Sequence, residues 1–139
     1  MQQRFTVLQI AWAALMFGVL ACALAVYFML TIGGLELAAM PVQVLTYVAP
    51  VAVVGMVGGT VLRRRFVDAI PAGVTPEQRM EKYLAAVIVG LAVTEGFGLL
   101  VITLALLAGA PTWALVGGGL ATGVMALSGP QRDEAGLGR

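Results

Sequence analysis

Tyr83-Leu-Ala-Ala-Val-Ile-Val-Gly90-Leu-Ala-Val-Thr-Glu95-Gly-Phe-Gly-Leu-Leu100-Val-Ile-Thr-Leu-Ala-Leu-Leu107 decides the fold of this chain. About 20 apolar residues are enough to cross a bilayer's hydrocarbon as a helix, and this run is longer. It carries one charge, Glu95, midway between its ends. An ionised acid at that depth costs roughly 2.5–3.5 kcal/mol on insertion scales, so a carboxyl there marks a candidate site. The stretch therefore reads as a transmembrane helix built around one acid.

Composition extends that reading to the whole chain. Of its 139 residues, 60% are hydrophobic and 11% charged, with a mean hydropathy of +0.99; soluble domains carry about 25% charged residues. A separate soluble domain has no room. The net charge is +1, and the one basic cluster, Arg63-Arg64-Arg65, directly follows an apolar run. That position suits a membrane anchor on anionic headgroups and gives no nucleic-acid footprint. A single cysteine, Cys22, cannot form an intrachain disulfide, and the absence of histidine excludes a Cys/His metal set.

Outward from the central run, the chain divides into four apolar spans of about 5–32, 42–62, 76–108 and 111–127. The first follows Arg4 and is far longer than the ~7–15-residue core of a signal peptide, so it reads as an uncleaved span. Ala14, Gly18 and Cys22 recur in it every four residues, the spacing of close helix contacts. Gly33-Gly34 ends it. Pro41 suits the start of the second span, and Pro50 near its middle removes a backbone hydrogen bond, which predicts a helix break. Gly55 and Gly59 form a GxxxG pair there.

The hydrophilic linker 63–82 ends in Thr75-Pro76-Glu77-Gln78, which predicts an N-cap, a proline at the first helical position and a capping box. The third helix should thus begin before the membrane. Gly109-Ala110-Pro111 allows only a tight turn into the fourth span, which contains Gly117, Gly118, Gly119 and Gly123, with Trp113 at its interfacial end. The tail 128–139 is polar and should be frayed. The expected fold is all-α: one domain of four transmembrane helices in two antiparallel hairpins. All Lys and Arg residues fall on one side of that arrangement, so both termini are expected inside. The location that goes with this reading is a bacterial inner membrane.

On a helical wheel Glu95 shares a face with Ile88, Leu91, Ala92, Gly98, Leu99 and Ile102. No Lys, Arg or His lies within a span to pair with it. By depth its neighbours should be the backbone around Pro50, Gly18 and Gly117 to Gly119. Thr94, Thr103, Thr46 or Tyr47 could offer polar support. Three readings follow: Glu95 handles a proton or monovalent cation, it bonds across a helix interface as glue worth about 1 kcal/mol, or it serves something else such as a bound lipid or hydrophobic substrate.

The middle of the chain resembles subunit c, the rotor-ring proteolipid of rotary ATPases. The likeness runs from Val42 to Leu107: a helix bearing Gly55, Gly58 and Gly59, a basic loop, then Gly90-x-Ala92-x-x-Glu95-Gly96. It implies a homo-oligomer in which Glu95 alone carries the role of binding H⁺ or Na⁺; Thr94 and Ala92 are assigned to the ion site as its neighbours on the helix. This chain adds a helix at each end. A looser likeness is to the small multidrug transporters, also four helices with one membrane glutamate.

The expected function is a small oligomeric membrane protein that binds or relays a proton or monovalent cation through Glu95. The alternative is a non-catalytic accessory, scaffold or assembly subunit of a larger complex. Helix packing is assigned to Gly18, Gly55, Gly59, Gly98, Gly119 and Gly123. Neither a cofactor nor a catalytic constellation is expected.

Overall fold

The central run lies at the centre of the structure, a computed structural model that describes residues 2–35, 37 and 39–136. Helix α3 (Pro76–Leu107) is 32 residues long, about 48 Å at 1.5 Å per residue. It begins as the sequence predicts. The Thr75 side chain accepts from the Gln78 N–H, Gln78 Oε1 accepts from the Thr75 N–H, and Pro76 sits at the first position. Buried residues recur along it from Met80 through Tyr83, Val87, Leu91, Thr94 and Gly98 to Ala105, at the spacing of one helical face.

Helices α1 (Gln2–Thr31), α2 (Gln43–Asp68) and α4 (Pro111–Leu127) pack around it. Three of the four helices, α1, α2 and α3, are long and apolar enough to cross a membrane, and α4 is a shorter apolar helix. Gly34 at φ +61° follows α1, and Gly109 at φ +62° makes the tight turn between α3 and α4. Both positions use the left-handed backbone that glycine reaches without steric cost.

The helices do not pair as two sequential hairpins. Helix α2 packs most extensively on α3, α4 lies between α3 and α1, and α1 makes no contact with α2 among the described residues. The α1–α2 link explains this. It passes over the end of α3, where the Ala39 N–H donates to the Leu107 carbonyl at 2.9 Å. Met40 packs there with Leu45, Ala105, Ala108, Ala114 and Trp113. The crossing carries the chain to the far side of α3 and satisfies one carbonyl that a helix end leaves open. Glu36 lies outside the described residues.

Two other expectations are corrected. Helix α2 runs without a break through Pro50, which sits on its exposed side, and continues past the arginines to Asp68. The tail is packed where it is described. Ala135 is buried, and Trp12 Nε1 donates to the Met125 carbonyl at 2.9 Å beside Gly129.

Glycines set the closest approaches, as expected where helices associate by packing. A Cβ on Gly59 would lie 2.7 Å from Thr94 Oγ1 and 2.8 Å from the Gly90 carbonyl, and one on Gly55 would overlap the Phe97 ring. Gly98 meets Ala121, Gly117 meets Val101 and Gly118 meets Ala23. Gly18, Gly119 and Gly123 are exposed, with no atom within 4 Å of where a Cβ would stand. Their expected packing role is not realised within the chain. Gly90, Gly117 and Gly118 make the contacts instead.

Candidate functional site

The three residues assigned to ion binding diverge in the structure. Thr94 is buried against α2, and its hydroxyl lies 3.2 Å from the Met56 carbonyl and 3.0 Å from the Gly90 carbonyl. Glu95, one position on and therefore about 100° around the helix, is half-buried at the edge of the packed face. Ala92 is exposed. Among the described residues the Glu95 carboxyl makes no hydrogen bond or ion pair. Thr46, Tyr47 and Thr103 are exposed, and Gly18 is open to the outside. The arrangement leaves a single carboxyl on the rim of α3, with no oxygen cage around it.

Polar chemistry is gathered at the other end of the packed face. Arg63, expected as a membrane anchor beside Arg64 and Arg65, is only 5% exposed. Its Cβ lies 2.8 Å from where a Gly90 Cβ would stand, so the missing side chain at position 90 lets the arginine stem pass across α3. The guanidinium then reaches Glu134 Oε2 at 2.5 Å and the Tyr83 hydroxyl at 3.3 Å, and donates to the Ser128 carbonyl. Tyr83 is fully buried; its hydroxyl lies 3.4 Å from Glu134 and accepts from the Gln131 N–H at 2.8 Å. Arg63 is thus an internal crosslink among α2, α3 and the tail. A buried arginine is tolerated only when its charge and donors are matched, which is what the tail supplies. Arg64 and Arg65 remain exposed, as an anchor would be.

The sequence gives no direct sign of this cluster, because Arg63 lies 20 residues from Tyr83 and 71 from Glu134. The available hint is that Glu134 sits in a polar tail facing the same end as the arginines. That end also brings Arg4 to Glu81 at 3.5 Å, Arg79 to Gly136 and Arg132 over Phe5. The basic side chains that the sequence places on one side are therefore together, except Arg139, which lies outside the described residues.

Among the described residues no group of His, Cys, Asp and Glu could hold a metal ion. Comparison with protein-family models, with curated proteins and with solved structures returned no match. The class defined by fold and composition is a small helical bundle with membrane-length helices.

Proposed function

We propose that this chain is a multi-pass subunit of an oligomeric membrane assembly, and that Glu95 is the polar contact by which it meets its neighbour. The observation that carries this reading is the position of Glu95, a mid-helix carboxyl at the edge of the packed face with no hydrogen-bond or ion-pair partner among the described residues. Hydrocarbon cannot satisfy such a group, whereas an adjoining helix can. Ala92 and Gly96 beside it are exposed, and so are Ala14, Gly18 and Cys22 on α1. Both strips are small enough for another backbone to approach. In this reading the basic end faces the cytoplasm, all four helices cross, and both termini are inside.

The test uses Ala92→Cys in a Cys22→Ala background. Oxidation in native membranes should yield a crosslinked dimer. Glu95→Gln should preserve that dimer, since an amide keeps a donor and an acceptor, and Glu95→Leu should weaken it. A monomeric detergent-extracted particle with no crosslink at position 92 or 96 would overturn the reading.

A proton relay is the second reading, favoured by the half-exposure of a carboxyl that no hydrogen bond among the described residues holds. A caged cation fits less well, because Thr94 is committed to α2. Glu95→Gln should then abolish proton flux into vesicles carrying a pH-sensitive dye. Full flux in that variant would leave Glu95 as interhelical glue.

A further inference from the structure

We propose that the cleft between the C-terminal parts of α2 and α4 binds one anionic glycerophospholipid whose headgroup carries a hydroxyl. The cleft holds about 200 Å³ and is lined by both polar and apolar residues. Val57, Val124 and Leu127 form the apolar part; Leu127 is 89% exposed and Val57 48%. Acyl chains are the occupant that such a surface accepts at the edge of a bilayer. Thr60, Arg63, Arg64, Ser128, Gln131 and Glu134 form the polar part, and Arg63 directly follows the apolar run of α2.

Charge and hydrogen-bonding capacity select the headgroup. Glu134 is matched by Arg63 at 2.5 Å, whereas Arg64 makes no ion pair among the described residues, so one positive charge in the lining is uncompensated. A guanidinium fork matches two phosphate oxygens at once. Gln131 is exposed, and its side-chain amide adds neutral donors. Thr60 and Ser128 hydroxyls already donate to the Val57 and Val124 carbonyls of their own helices at 2.7 Å, which leaves their oxygens as acceptors. Acceptors beside a phosphate suit a hydroxylated headgroup such as glycerol. A choline headgroup has no donor for them and brings a cation towards Arg64. Arg63 acts as a positioning residue: by holding Glu134 and the Ser128 carbonyl it fixes the tail that forms one wall.

The experiment is native mass spectrometry of the full chain extracted with phosphatidylglycerol or phosphatidylcholine. One phosphatidylglycerol should be retained per chain in preference to phosphatidylcholine. Arg64→Ala should lower that retention about tenfold, the weight of one charge-assisted contact. Arg65→Ala makes the same charge change outside this cleft and should leave retention unchanged. Equal losses in the two variants would reduce the effect to general basic attraction and overturn the site. Displacement of the lipid by millimolar inorganic phosphate would assign the cleft to a free anion and overturn the lipid. Thermal unfolding of Arg64→Ala checks that the variant is folded, and Arg64→Lys, which keeps the charge without the fork, should fall between the two.

Discussion

At the scale of single residues, Arg63 and Glu134 determine how the ends of α2 and α4 are joined. Removing one member of a buried ion pair leaves the other unmatched, at a cost of about 3–5 kcal/mol when both are fully enclosed. The Glu134 side chain is 31% exposed and that of Arg63 7%, so the two deletions should differ. Without Glu134, Arg63 remains enclosed with its charge unpaired. Without Arg63, Glu134 can turn to water. We expect Glu134→Ala to destabilise the detergent-solubilised chain by roughly 2–3 kcal/mol and Arg63→Met by less, with Arg65→Ala within about 0.5 kcal/mol of the parent. Thermal unfolding followed by circular dichroism measures all three. Equal effects at positions 63 and 65 would mean that the cluster adds nothing to stability. None of this was legible in Arg63-Arg64-Arg65 itself. Three identical letters give no sign that the first turns inward, because that depends on Gly90 leaving room on a different helix.

At the scale of elements, helix ends were legible where the sequence carries its own stop and start chemistry. Thr75-Pro76-Glu77-Gln78 and Gly109-Ala110-Pro111 place the beginnings of α3 and α4 because caps and turns are local interactions. Helix α2 runs on past the apolar span 42–62 to Asp68: charge marks the edge of hydrocarbon, but it does not stop a helix. Neighbour relations between helices were not legible. The order α2, α3, α4, α1 depends on where the α1–α2 link crosses, and small residues on two faces of one helix look alike in sequence. That ambiguity is testable with adjacent glycines. Gly58→Ala meets open space and should be neutral, or stabilising by up to about 1 kcal/mol through helix propensity. Gly59→Ala pushes against Thr94 and Gly90 and should cost about 1–3 kcal/mol. On α4, Gly119→Ala should likewise be tolerated and Gly117→Ala should not, since its Cβ would lie 2.7 Å from Val101 Cγ1. Unfolding of the four variants reads both pairs. Similar losses within a pair would place the wrong face inward.

At the scale of the whole molecule, the packing constrains how the chain can lie in a membrane. The Arg63–Glu134 pair ties the segment after α4 to the end of α2, so these two points share a side. Gly109 turns α4 back from the far end of α3. If helix α4 crosses, it must cover nearly the same depth with 17 residues, about 25 Å against a hydrocarbon thickness of about 30 Å. The packed tail makes up the difference by carrying the chain on to Arg63. If all four helices cross with the basic end inside, single cysteines in a Cys22→Ala background should report it. An impermeant thiol reagent added outside intact cells should label Thr112→Cys, and reach Gly73→Cys and Asp133→Cys only after the membrane is opened. All three positions are exposed, so their labelling reads location rather than burial. The reverse pattern would invert the orientation. Labelling of Thr112→Cys and Asp133→Cys from the same side would mean that α4 does not cross, and the ion pair to Arg63 would then have to break in the membrane.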